Sequence, residues 1–204
     1  KAGYYKYKNK GINTKKYKIG IVSEFIPFRE NPTLRLQKIN QTNNLLYTFL
    51  SKYIQECKIS AAIFMRNPMG HNDEKEYFQK FFGDSVEYIF HDIKKMSTYS
   101  SMEMSEVVVG LMSTANIEAF GWGSKILLAD FTKNKDYTDV FNYDPMITFH
   151  EPNYEDYKKR LNELIREPQE EYIERTKDYA SYLMNNDPDY PPHIYIRNMI
   201  DDYL

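Results

Sequence analysis

The sequence predicts an α/β fold in which about six parallel strands form a doubly wound, Rossmann-like sheet. Short runs rich in β-branched residues recur roughly every 20 residues, and most are followed by a stretch with helical periodicity. These runs are almost continuously apolar, which is typical of strands buried on both faces. With 204 residues, the chain is long enough for one domain with a sizeable core.

The predicted strands are runs that combine apolar and β-branched residues. In chain order they cover 17–23, 61–65, 86–90, 107–109, 126–129 and 146–149. The segment from Phe131 to Pro145 has no such pattern, and we interpret it as a mobile loop on the active side of the sheet.

The predicted helices rest on apolar spacing and on capping residues. Apolar residues from Leu46 to Cys57 recur every three or four positions, which predicts a helix over 44–57 with Cys57 on its buried face. Ser100 is a predicted cap of a short helix, a further helix covers 113–122, and Asn153 caps the first C-terminal helix. Two more helices are predicted, one from Pro168 to about Met184 and one after a proline-rich turn at 187–192.

Several protein classes are excluded by what the sequence lacks. No run approaches the roughly 20 apolar residues of a membrane span, and no secretory signal opens the chain. Cys57 is the single cysteine, so we exclude an internal disulfide and expect a reducing cytoplasmic location. The four histidines lack metal-ligand spacing, and we expect no metal site. Dinucleotide, P-loop and serine-hydrolase motifs are missing too.

The charge is distributed asymmetrically. Residues 1–18 contain seven lysines and no acid, so the rest carries 27 − 7 = 20 basic against 29 acidic residues. We therefore predict a basic arm or linker over 1–16 and the domain over 17–204. A lysine cluster also favours contact with anionic lipid, here at the inner face of the membrane. The acidic body argues against nucleic-acid binding.

The most informative turn follows the strand at 107–109, where ligands bind in such folds. Ser113 and Thr114 lie at a predicted helix start, whose free N–H groups and dipole favour a phosphate. Glu118 is four residues after Thr114 on the same helix face, where a carboxylate can accept hydrogen bonds from a ribose diol. The spacing is consistent with a nucleoside diphosphate across the helix end, and also with an ordinary Ser/Thr cap followed by a surface glutamate.

Within the segment 105–129, Ser113-Thr114 is followed by Glu118-Ala, and then by glycine and a further strand. This pattern resembles the donor-binding segment of GT-B glycosyltransferases. It is most similar to the bacterial surface-carbohydrate and capsule transferases, and the resemblance covers about residues 17–204. It implies that Ser113 and Thr114 bind the donor pyrophosphate and that Glu118 binds the ribose. It further implies that Arg66 contacts phosphate and that Ser23, together with Glu24, faces the interdomain cleft. His91 and Ile93 would lie beside the nucleobase. Arg66, Ser23, His91 and Ile93 are therefore further expected donor-site residues.

The resemblance implies the donor-binding half of a transferase for surface polysaccharide, without a cofactor. Its partners would be a nucleotide-diphosphate sugar, a carbohydrate or lipid-linked acceptor and a missing N-terminal domain, which supplies the catalytic base. The His-Pro pair of many CMP-sugar transferases is absent, since the nearest segment is His150-Glu-Pro152. Two alternatives remain at this stage: a sugar-nucleotide 2-epimerase-like enzyme and a non-catalytic flavodoxin-like binding module.

Overall fold

The computed structural model describes residues 15–70, 72–111, 113–132, 147–183 and 192–202. Within these residues, six strands pair in parallel in one sheet. They are β1 (Tyr17–Val22), β2 (Ala61–Phe64), β3 (Glu87–Ile89), β4 (Ser105–Gly110), β5 (Lys125–Ala129) and β6 (Thr148–Phe149). The strand order β3-β2-β1-β4-β5-β6 reverses direction between β1 and β4. The predicted doubly wound α/β fold is confirmed.

Apart from the last one, which is exposed over residues 193–201, the described helices form a layer on each face of the sheet. They are α1 (Leu34–Cys57), α2 (Asn72–Phe82), α3 (Ser97–Glu103), α4 (Thr114–Gly121), α5 (Tyr154–Arg166), α6 (Gln169–Leu183) and α7 (Pro192–Asp201). Helix α1 packs against α2 and α5, whereas α4 packs against α3 and α6. None of these helices has the length and apolar character needed to cross a membrane.

The core explains the apolar strands and the many aromatic residues. The central strands β1, β4 and β5 are almost completely buried between the two helical layers. On the α1 side, the buried ring of Tyr47 contacts the rings of Tyr77, Phe78, Phe81 and Phe82, with centroid distances of 5.0 to 6.2 Å. Edge-to-face pairs at such distances add to the stabilisation from area burial.

Local capping differs from the sequence predictions at two helices. Helix α1 begins at Leu34, well before residue 44, because Thr33 caps it and accepts a hydrogen bond from Leu36 N at 3.3 Å. The predicted cap Ser100 is wrong, since α3 already begins at Ser97, after Met96 in a left-handed conformation (φ 51°). The predicted cap Asn153 is confirmed, because its side chain accepts from Glu155 N and Asp156 N.

Three further predictions meet the structure to different degrees. Cys57 ends α1 half-buried against the core, in agreement with its interpretation as a packing residue. Residues 133–146, most of the predicted loop, lie outside the described residues. The proline-rich turn up to residue 191 also lies outside the described residues. Of the sixth predicted strand, 146–149, only residues 148–149 form a strand.

The end of the predicted arm contacts the domain. Lys16 N donates to Met104 O at 2.7 Å, Lys15 Nζ donates to Ser105 O at 2.7 Å, and Lys16 pairs with Glu87 at 2.6 Å. Residues 1–14 lie outside the described residues, so the linker stays a prediction for them.

Two truncations test the extent of the arm. We expect deletion of residues 1–14 to change the melting temperature by no more than about 1–2 °C, as for a linker. Deletion of 1–16 should lower it by about 2–5 °C, since hydrogen bonds of about 1 kcal/mol each are lost from a 200-residue domain. Calorimetry of both variants checks this. An equally large loss for the shorter deletion would place residues 1–14 within the folded domain.

Candidate functional site

Two neighbouring cavities lie at the carboxyl ends of β1 to β4, where the order of the strands in the sheet reverses. The first has a volume of about 440 Å³ and lies between the ends of β1 and β2 and the start of α4. The second, of about 520 Å³, lies between α3 and α4. They share four lining residues, namely His91, Thr98, Thr114 and Ala115. The two cavities therefore form one continuous candidate site.

The structure brings all the predicted site residues to these cavities. Ser23, Arg66 and Ser113 line the first, and Ile93 and Glu118 line the second, whereas the predicted residues His91 and Thr114 line both. These residues come from four strand-to-helix connections and from α4, and the connections are far apart in the sequence. The parallel sheet places them together because the carboxyl ends of all its strands lie at one edge.

Helix α4 begins directly over this edge. Ser113 is its N-cap, and the Oγ atom accepts a hydrogen bond from Ala115 N at 3.3 Å. The close approach of α4 to β4 requires glycine at position 110, because a Cβ atom there would lie 2.1 Å from Asn116 Nδ2. Because the start of α4 lines the first cavity, the positive end of the helix dipole points at this cavity and favours an anion there.

Replacing Ser113 tests the capping role. We expect Ser113→Ala to lower the free energy of unfolding by about 1 kcal/mol, the usual contribution of a serine cap. Thr114→Ala is the matched control, since Thr114 is exposed and already helical. Urea unfolding of both variants measures the difference. Equal stability of the two variants would contradict the capping role.

Glu24 lies at this helix end, although the predicted donor-site residues do not include it. Its Oε1 atom accepts hydrogen bonds from Leu111 N at 2.8 Å and from Ser113 N at 2.9 Å. A carboxylate is stabilised there by the helix dipole and by charge-assisted hydrogen bonds. The Glu24 carboxylate therefore already binds two of the backbone N–H groups in the turn before α4. In the sequence, the feature that could have indicated this role of Glu24 is its position directly after the first predicted strand.

Ser23 has a structural role in the first cavity. Its hydroxyl donates to the carboxylate of Glu74 and accepts a hydrogen bond from Phe25 N. Glu74 is fully buried and also accepts from Arg66 N at 2.8 Å and Asn67 N at 2.9 Å. This carboxylate therefore joins the connections that follow β1 and β2.

Arg66 and His91 give the first cavity a cation and a ring nitrogen. The Arg66 side chain is exposed and lines the cavity, while its backbone N–H is held by Glu74. His91 Nδ1 lies 3.4 Å from Thr98 Oγ1, and His91 N donates to Asn67 O. A guanidinium that reaches this cavity suits a phosphate.

Glu118 and Tyr99 lie together in the second cavity. Burial, followed by the neighbouring Glu118 carboxylate, raises the pKa of Tyr99 to about 12. The Tyr99 hydroxyl hydrogen-bonds Glu118, which contributes to the raised pKa. The Trp122 ring packs edge-on against Tyr99 at a centroid distance of 5.4 Å, and its Nε1 donates to Ser124. Trp122 is thus a packing residue.

Comparison with protein families gives a match over residues 6–194, to a family described as "putative O-antigen biosynthesis protein". The chain belongs to this family. A comparison with curated proteins found no match. Among solved structures the chain is similar to the trehalose-6-phosphate synthase OtsA, with a TM-score of 0.49 and 12% identity. That match covers 97% of this chain and 45% of the synthase, so the chain spans less than half the synthase's length.

Proposed function

We propose that this member of the O-antigen biosynthesis family is the donor-binding half of a glycosyltransferase that uses a nucleotide-diphosphate sugar. The observation that carries the proposal is the two-part cavity at the switch point of the sheet. One part contains the α4 N-terminus and Arg66, which suit a diphosphate, and the other contains Glu118, which suits a ribose diol. The family match supports a role in building surface polysaccharide.

The chemistry assigned to this half is stabilisation of the leaving group. When a sugar is transferred to an acceptor hydroxyl, the bond between the anomeric carbon and the diphosphate breaks and negative charge develops on the phosphate. The α4 dipole and the Arg66 guanidinium are placed to stabilise that charge. We assign the acceptor and the catalytic base to a further domain, so this chain alone binds donor and transfers no sugar.

A ligand screen tests the proposal. Thermal shift with UDP, GDP, CDP and CMP should show stabilisation by one or more of the diphosphates and less by CMP, because binding to the native state raises stability by mass action. Inorganic pyrophosphate serves as the control for an unspecific anion effect. Equal shifts with pyrophosphate and all nucleotides, or no shift with any of them, would contradict the proposal. Sugar transfer by these 204 residues alone would contradict the half-enzyme assignment.

A further inference from the structure

We propose that Tyr99 is a positioning residue of the donor site, whose hydroxyl orients the Glu118 carboxylate for binding of the ribose diol. The inference rests on the proposed function and extends it to a residue that the predicted donor site does not include. It starts from a feature that ribose binding alone leaves unexplained, namely a tyrosine hydroxyl from the neighbouring helix that hydrogen-bonds the proposed ribose ligand.

Tyr99 and Glu118 reach the second cavity from different helices. Tyr99 lies on α3 and Glu118 on α4, and the two helices pack against each other. Both residues are half-buried and line the second cavity, and neither lines the first. The hydrogen bond between them therefore joins the two helices at the cavity that the proposed function assigns to the ribose.

The ring of Tyr99 is itself held by packing. It meets the Trp122 ring edge-on, with a centroid distance of 5.4 Å and an interplanar angle of 64°. Trp122 is held in turn, because its Nε1 donates to Ser124 Oγ at 3.1 Å and its backbone N donates to Glu118 O at 3.3 Å. Since an aromatic side chain has only two torsion angles, this packing restricts the direction in which the Tyr99 hydroxyl points.

A fixed hydroxyl beside Glu118 affects binding because a glutamate side chain is flexible. Glutamate loses a large amount of rotamer freedom when it is ordered, and a side chain that a ligand must order lowers the affinity for that ligand. The Tyr99 hydroxyl donates a charge-assisted hydrogen bond to the Glu118 carboxylate, which orders this carboxylate before the nucleotide binds. The contact should therefore raise the affinity for a nucleotide with an intact ribose diol.

Tyr99→Phe tests the proposal, because it removes the hydroxyl and keeps the ring on Trp122. Isothermal titration should show about three- to ten-fold weaker binding of UDP, the effect of one side chain that the ligand must now order. The loss for 2′-deoxy-UDP should be less than about two-fold, because this ligand lacks one hydroxyl of the diol. If the ligand screen selects GDP instead, GDP and 2′-deoxy-GDP replace the uridine ligands.

Tyr154→Phe is the matched control. Tyr154 Oη also donates to a glutamate of another helix, Glu56 Oε2 at 2.6 Å, but neither residue lines the two cavities. This variant should bind UDP and 2′-deoxy-UDP as the wild type does. Both tyrosine variants should lower the melting temperature by no more than about 4 °C, because each loses one hydrogen bond that water can replace.

A double-mutant cycle with Glu118→Ala shows whether Tyr99 acts through Glu118. In the Glu118→Ala background, Tyr99→Phe should weaken UDP binding by less than about two-fold, since no carboxylate is left to orient. If Tyr99→Phe weakens UDP binding by the same factor in both backgrounds, Tyr99 acts independently of Glu118 and the proposal is wrong. An equal loss for UDP and 2′-deoxy-UDP in the single variant would also overturn it.

The outcomes separate this inference from the proposed function. If UDP or GDP binds the wild type but Tyr99→Phe leaves the affinity and the preference for the ribonucleotide unchanged, Tyr99 is not a positioning residue and the proposed function stands. If no nucleoside diphosphate binds the wild type, both fail.

Discussion

Replacing Glu118 with glutamine is expected to lower the affinity for a nucleoside diphosphate by 10- to 100-fold. The change preserves shape but removes a charged acceptor, and a hydrogen bond to a charged group contributes roughly 1.5–3 kcal/mol. The free energy of unfolding should hardly change, because Glu118 is half-buried at the second cavity and the amide can still accept from Tyr99. Titration calorimetry and urea unfolding measure the two effects separately.

A deoxy ligand identifies the atom that Glu118 contacts. The 2′-deoxy diphosphate should bind the wild type less well than the ribonucleotide, because it lacks one hydroxyl of the diol. In Glu118→Gln the two ligands should bind nearly equally. If instead the variant loses the same factor for both ligands, Glu118 does not bind the ribose, and the orientation of the nucleotide in the two cavities is wrong.

Replacing Glu74 with methionine is expected to produce the largest loss of stability. Glu74 is fully buried and accepts hydrogen bonds from Ser23 Oγ, Arg66 N and Asn67 N. Methionine fills similar volume but leaves these donors without an acceptor, at roughly 1 kcal/mol or more each, or about 3 kcal/mol together. For a domain of this size the melting temperature should fall by about 6–12 °C.

A neighbour on the same helix provides the matched control for Glu74. Glu76 lies two residues further along α2 and is exposed, so Glu76→Met should change the free energy of unfolding by less than about 0.5 kcal/mol. Glu74→Gln keeps one acceptor oxygen and should lie between wild type and Glu74→Met. A Glu74→Met variant as stable as Glu76→Met would show that the connections after β1 and β2 do not depend on this carboxylate.

The location of the candidate site followed from the sequence, but the roles within it followed only in part. Ser113, Thr114 and Glu118 were placed together by helical spacing, which depends only on neighbours along the chain. Ser23 also lines the cavity as expected, yet its hydroxyl is held by Glu74, 51 residues away. Spacing cannot show such a contact, because the direction of a side chain in a connection depends on what packs against it.

Glu24 and Tyr99 are two residues that the predicted donor site does not include. Glu24 contacts amides 87 and 89 residues further along the chain, and Tyr99 contacts Glu118 across the gap between α3 and α4. Both contacts join separate β-α units. A pattern within one unit carries no information about them.

The sequence by itself determined the fold class and the edge of the sheet that carries the site. Strands buried on both faces must be apolar along their whole length, and helices on such a sheet must show a 3.6-residue period, so both leave a visible pattern. Only the tertiary structure decided which polar groups meet at that edge. Their partners come from distant segments, and a buried carboxylate such as Glu74 is tolerated only because folding brings its donors to it.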